Sequence, residues 1–249
     1  MESLTELSPG YTLTAGESDA EGRMPLTLVT ERVIEVATEH ANALGIGYAT
    51  LIKKNVGWVL SRLSIEMLRY PAINDSYTLT TWVESYNRRF SERNFAMTDP
   101  AGNIYGHMRT VWVPMDFAKR TVADINEFIE GGMPLSDTPC PIAKTPRIPP
   151  LPQECTSECY TFRYRDIDFN RHVNTVRYLD LILNHWSLEH FDKHIPSRFD
   201  ILFHHECHYG EEICLHVAPG TEACPGDICE LTKADGTRAV AARIFWKKV

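Results

Sequence analysis

The sequence predicts an α+β chain of two like halves, each a long helix wrapped by a curved antiparallel sheet, the two together forming a pseudo-dimer. Three observations point there: a stripe at helical spacing followed by alternating runs, the same order of elements a second time, and a proline-rich segment between the two.

In the first half, Leu26, Val29, Val33, Ile34, Ala37, Ala41 and Leu44 recur at helical spacing, and Gly45 and Gly47 stop the run. Alternating runs follow in "GWVLSRLSIEML", "SYTLTTWVESYNRRFSERNFAMTD" and "NIYGHMRTVWVPM", the pattern of strands with one face buried. From Glu130 to Gln153 the chain carries seven of its fifteen prolines, which neither a helix nor a central strand accepts. This segment reads as an extended connector. The expected organisation is therefore a first domain over 1–130, a linker over 131–153 and a second domain over 154–249.

In the second half, Asn174 is a candidate N-cap, and Val176, Leu179, Ile182, Leu183 and Trp186 form the stripe of a helix. The strands expected after it are "RFDILFHHECHYG", "EEICLHVAP", "DICELTKAD" and "TRAVAARIFWK". The halves also share spacings: Gly102 is followed seven residues later by Arg109 and then by Trp112, and Gly236 is followed at the same spacings by Arg243 and Trp246. That offset lays "YTLTTWV" over "EEICLHV" without a gap. The alternative is chance similarity between two hairpins, because a turn glycine before alternating residues is common.

Composition narrows the function. With 43% hydrophobic and 23% charged residues the 249-residue chain is an ordinary globular protein, and it lacks an apolar run long enough to span a bilayer. A formal charge of −8 argues against a nucleic-acid partner. The start, "MESLTELSPG", has neither a basic lead nor an apolar core, so the expected location is the cytoplasm. The seven cysteines are odd in number and lack the close pairs of metal or disulfide frameworks, so all are expected as free thiols.

The chemistry concentrates in "DIDFNRHVN". Read as an extended segment, it puts Asp166, Asp168, Asn170 and His172 on one face, with Ile167, Phe169 and Val173 seating it in the core. The bland alternative is a hydrogen-bonded turn and cap, for which Asp and Asn are common choices. A second cluster, "FHHECHYG", places His204, Glu206 and His208 on one face of an expected strand and His205 and Cys207 on the other. Glu206 among apolar neighbours asks for an explanation: it lies on an edge strand with a wet face, or it meets His172. Metal binding through His204, Glu206, His208 and Cys207 is a weaker reading, since one strand supplies every ligand with no recognised spacing.

These residues resemble those of the acyl-carrier-protein thioesterases of plants and bacteria, which carry two hotdog domains in one polypeptide. The family motif is matched by Asp168, Asn170, His172, Val173, Asn174, Arg177 and Tyr178, and its downstream Glu-Cys pair by Glu206 and Cys207. The first half follows the family in "RYPAINDSYTLTTWV" and "RTVWVPMD", so the likeness runs from about Tyr11 onward. The chain departs from the pattern at Thr175 and Leu181, beyond the catalytic atoms. It also lacks the transit peptide of the plant enzymes, which favours a bacterial type.

The resemblance implies hydrolysis of fatty acyl-carrier thioesters, ending fatty acid synthesis, with no cofactor or metal. The expected catalytic set is Asp168 as nucleophile or as base for water, Asn170 orienting, and His172 with Glu206 moving protons. The helix start near Asn174 and Thr175 would hold the oxyanion. Cys207 with His172 and Asn170 is the competing mechanism, disfavoured because strand parity turns Cys207 away from the face of Glu206. The first half has no counterpart to the motif and would line an acyl tunnel, with Val33, Ala37, Trp58, Leu60 and Trp82 as candidate walls. Arg88, Arg89 and Arg93 are candidates for docking the acidic carrier, though such a run is more often merely a solvated face. The rival functions are acyl-coenzyme A hydrolysis and silent acyl binding. Monomer and homodimer both stay open.

Overall fold

In the computed structural model, which describes residues 4–129, 131–151 and 155–249, the chain divides into two compact units, Met1–Lys144 and Thr145–Val249. The division falls inside the proline-rich strap. The boundaries expected from sequence at residue 130 and at 153–154 touch residues outside the described ones.

The first unit holds β1 (Glu6–Leu7), β2 (Gly10–Thr12), α1 (Leu26–Ala43), α2 (Tyr48–Leu51), β3 (Val56–Met67), β4 (Ser76–Tyr86), β5 (Ser91–Thr98), β6 (Ile104–Asp116) and β7 (Thr121–Val122). Its sheet runs β1-β4-β5-β6-β3, all antiparallel, with β2 also on β4 and β7 on β6. Helix α1 buries Leu26, Val29, Val33, Ala37 and Ala41, as its spacing predicts, and adds Val36 and His40. It ends where expected: Gly45 takes φ +74°, and the N–H of Ile46 reaches back to the Ala41 carbonyl at 2.9 Å. Only a residue at ease in the left-handed region closes a helix this way.

The second unit holds β8 (Thr156–Thr161), α3 (Thr175–Leu183), α4 (Leu188–Phe191), β9 (His194–Phe203), β10 (Glu212–Ala218), β11 (Asp227–Lys233) and β12 (Arg238–Lys248). Its antiparallel sheet runs β9-β12-β11-β10-β8. Both units thus have the α+β arrangement the sequence implies, a main helix followed by an antiparallel meander. The repeat is real in detail. Gly102 in the β5–β6 turn and Gly236 in the β11–β12 turn take φ +85° and +82°, and each donates its N–H to the carbonyl three residues back, of Asp99 and Lys233, at 2.9 Å.

Three sequence expectations change. The second helix is not long: α3 has nine residues against eighteen in α1, and Trp186 lies beyond its end, packed on Trp246 with ring centroids 4.9 Å apart. The strand expected over "RFDILFHHECHYG" stops at Phe203, because the N–H groups of His204 and His205 both turn to one carbonyl, that of Ala239, and end the ladder. The cysteines are not all free. Cys159 and Cys214, direct neighbours across the β8–β10 ladder, form a disulfide, and a separation of 55 residues in sequence hides that adjacency.

The described residues of the strap pack on both units. In the first unit the indole N–H of Trp82 donates to the Thr138 carbonyl at 2.7 Å and the Lys144 ammonium meets both Glu92 oxygens at 2.7 Å. In the second, Ile148 and Leu151 pack with Ile228, Ala241 and Leu202. Because Thr81 and Arg93 face α1, their neighbour Trp82 faces the other side of the sheet and shares no wall with Val33.

Candidate active site

The segment before α3 is a tight turn, not an extended blade. Tyr164–Asp166 make one helical turn, Ile167 and Val173 form an isolated antiparallel bridge, and the chain reverses between them. The Asp168 N–H donates to the His172 carbonyl at 2.8 Å, and Asp168 Oδ1 accepts the N–H groups of Asn170 at 2.8 Å and His172 at 3.1 Å. A short carboxylate that folds back on its own backbone is what Asp supplies to such turns. Arg171, at φ 67°, completes the reversal.

This geometry redistributes the expected polar face. Asp166 is buried, and its Oδ2 accepts the Tyr160 hydroxyl at 3.0 Å and the Arg163 N–H at 2.7 Å, so it anchors the turn. Phe169, expected in the core, is 75% exposed. Asp168 and His172 are half-buried, and Asn170 is exposed.

A second loop, residues 204–211, is laced to the first. The Val173 N–H donates to the Cys207 carbonyl at 2.8 Å, and the Cys207 N–H donates to the Tyr178 hydroxyl of α3 at 3.1 Å. Phe162 and Gly210 add a further bond at 3.0 Å. The lacing brings Glu206 to the motif histidine: His172 Nε2 lies 3.4 Å from Glu206 Oε2, and His208 Nε2 lies 3.7 Å from Glu206 Oε1. The two imidazoles meet edge to face, with centroids 5.0 Å apart. His204, expected beside Glu206 on a strand, is on the exposed loop instead.

Cys207 is fully buried, and burial pushes its thiol pKa up, which disfavours the thiolate a nucleophile needs. Sequence parity reached the same separation of Glu206 from Cys207 by way of a strand that is absent here. Asn174 caps α3 as expected, its Oδ1 accepting the Val176 N–H at 3.1 Å. Its own N–H is committed to the Asp166 carbonyl at 2.8 Å, whereas Thr175, the first residue of α3, has no acceptor for its N–H within the helix.

In the first unit, the proposed docking run separates. Arg88 and Arg89 are exposed, Arg88 beside Asp124 at 2.7 Å. Arg93 is 5% exposed, lies 2.6 Å from His40 Nδ1 beneath α1, and burial lowers its pKa to about 10. It faces the core, so it cannot meet a partner. A cavity of about 260 Å³ opens at the end of α1, walled by Leu44, Ile46, Phe128, Ile129 and Met133 rather than by Val33 or Trp82.

The family model of the acyl-ACP thioesterase N-terminal domain matches residues 6–131, and that of the C-terminal domain matches residues 151–248. The chain belongs to the acyl-ACP thioesterase family. An acyl-ACP thioesterase structure from Bacteroides thetaiotaomicron is 29% identical and superposes with a TM-score of 0.89 over 98% of both chains. The 12:0-ACP thioesterase of Umbellularia californica, at 19% identity and a TM-score of 0.77 over 98% of this chain and 95% of that one, shares the tandem hotdog fold. Among curated relatives, a dodecanoyl-[acyl-carrier-protein] hydrolase of Cinnamomum camphora is 26% identical over 238 residues, 89% of this chain and 62% of that protein. A palmitoyl-acyl carrier protein thioesterase of Arabidopsis thaliana is 24% identical over 259 residues, 95% of this chain and 62% of that protein. The chain thus spans about 62% of the length of these two relatives.

The sequence named both segments and offered His172 as a partner for Glu206, the contact found here at 3.4 Å, but it read the segments as an extended blade and a strand rather than as loops. His208 facing the same carboxylate as His172 went unpredicted as a pair, and so did the inward turn of Asp166. The one usable signal for the first was the short spacing of Glu206 and His208.

Proposed function

We propose that the protein hydrolyses fatty acyl-[acyl-carrier-protein] thioesters to free fatty acid and holo-carrier, the step that ends fatty acid synthesis, and that it works in the cytoplasm. Family membership supports the substrate class. The observation that carries the site is His172 Nε2 at 3.4 Å from Glu206 Oε2, on loops that also present Asp168 and Asn170.

Asp168 Oδ1 is held by two backbone N–H groups, so chemistry falls to Oδ2. That oxygen attacks the thioester carbonyl carbon or draws the proton from a water that does. The oxyanion forms toward the N–H of Thr175 at the positive end of α3. On collapse the C–S bond breaks, and His172, oriented by Glu206, gives the leaving thiolate a proton. Where Asp168 has attacked, water then hydrolyses the acyl–Asp168 anhydride to the free acid; where water has attacked, the acid is released directly and the proton held by Asp168 returns to His172. Asn170, exposed on the same turn, orients the carbonyl or the water. The first unit binds the acyl chain, and Arg88 with Arg89 faces the acidic carrier. No step needs a metal or a cofactor.

The test is release of fatty acid and carrier thiol from a panel of acyl-carrier thioesters of increasing chain length, with the same chains on coenzyme A beside them. Turnover on the carrier series, well above coenzyme A, supports the reading. Preference for coenzyme A reverses the partner, and turnover on neither leaves an acyl-binding protein.

A further inference from the structure

Glu206 stands between two imidazoles, and the reaction above uses only one of them. His172 Nε2 is 3.4 Å from one carboxylate oxygen, His208 Nε2 is 3.7 Å from the other, and the three ligand atoms all lie within 4.8 Å of one another. This is the one such trio among the described residues. A tetrahedral ion with metal–ligand bonds near 2.1 Å holds its ligand atoms about 3.4 Å apart, so small side-chain rotations bring the trio to that geometry. Two imidazoles and one carboxylate also form a donor set that suits zinc and its neighbours rather than calcium or magnesium.

The orientation of His208 adds a second, independent reason. Its Nδ1 faces the Arg171 carbonyl at 3.4 Å, an oxygen that can only accept. The proton of the neutral ring therefore sits on Nδ1, and the lone pair of Nε2 points at the carboxylate of Glu206. Two acceptors facing each other want a cation between them, and an imidazole that gives its second N–H to a backbone carbonyl is the usual support of a metal ligand. The side chains of His172, Glu206 and His208 are 27%, 33% and 45% exposed, so an ion can reach them from solvent.

We propose that His172, Glu206 and His208 form a binding site for a divalent ion of the zinc type, and that its occupation inhibits the enzyme by taking His172 and Glu206 out of proton transfer. The binding claim stands on geometry alone; the inhibition rests on the function proposed above. The experiment is calorimetric titration of the tag-free chain with Zn²⁺, repeated with Co²⁺, whose visible absorption reports tetrahedral coordination. One saturable site per chain is expected, weakened about 100-fold or more in His208→Ala and in Glu206→Gln, both checked for native circular dichroism. His205→Ala, which removes an exposed histidine outside the trio, should bind as wild type does. Absence of a stoichiometric site, or a site that survives both His208→Ala and Glu206→Gln, overturns the proposal. In the thioester assay Zn²⁺ should inhibit and a chelator restore turnover. Binding without inhibition would remove the catalytic reading of His172 and Glu206 while leaving the ion site in place.

Discussion

Replacing Asp168 in two ways separates its work in the fold from its work in chemistry. In the structure one carboxylate oxygen holds the backbone N–H groups of Asn170 and His172, at 2.8 and 3.1 Å. Hydrogen bonds to a charged acceptor are worth about 1.5–3 kcal/mol each when buried, and the half-exposure of Asp168 brings the pair down to about 2 kcal/mol in total. Asp168→Ala loses both, and for a chain of this size that lowers Tm by about 4–8 °C. Asp168→Asn keeps an acceptor oxygen in the same place, so its Tm should stay within about 2 °C of wild type. It has no carboxylate, however, and its kcat on acyl-carrier thioesters should drop by about 10²–10⁴-fold. Scanning calorimetry and a thiol-release assay on both variants measure the two effects. Wild-type kcat in Asp168→Asn would reduce Asp168 to a turn cap. Equal loss of Tm in both variants would show that the two hydrogen bonds do not hold the turn.

Three further outcomes follow from particular contacts. Tyr178→Phe leaves the buried Cys207 N–H without its acceptor at 3.1 Å, which should cost about 1–3 kcal/mol in urea unfolding and lower kcat through the displaced Glu206 loop; an unchanged midpoint would contradict the lacing. His40, His107 and His190 are all held below the ordinary value of 6.5, mainly by burial. The unfolded chain therefore takes up protons first as pH falls through 6.5, and stability should decline from pH 7 toward 5, whereas a flat or rising midpoint would refute that assignment. Reversing the charge of Arg88 and Arg89 should raise KM for carrier-bound substrate at low salt with kcat preserved, and reversal without effect would remove them from docking.

Much of the fold was legible because its signals are local or repeated. The stripe of α1 and its stop at Gly45 depend on neighbours in sequence, and the turns at Gly102 and Gly236 announce themselves twice. The residues of the site were legible too, but their geometry was not. Alternation in "DIDFNRHVN" suggested an extended segment and left a hydrogen-bonded turn and cap as the alternative; the structure has the turn, because Asp168 bonds to its own backbone and that local hydrogen bonding overrides the period-two pattern. The end of β9 was hidden because the competing partner, the Ala239 carbonyl, is remote in sequence. The same remoteness hid the Cys159–Cys214 pair and the burial of Arg93, which reads as surface charge until α1 covers it.

The central claim is that a carboxylate and imidazole site in the second unit, with no part for the buried thiol, hydrolyses acyl-carrier thioesters. The most direct measurement is kcat on one such thioester for wild type, Glu206→Gln and Cys207→Ala, each shown to be folded. The account predicts that Cys207→Ala keeps activity within a few-fold of wild type while Glu206→Gln loses about 100-fold or more. A folded Cys207→Ala enzyme without activity, beside an active Glu206→Gln, would contradict it.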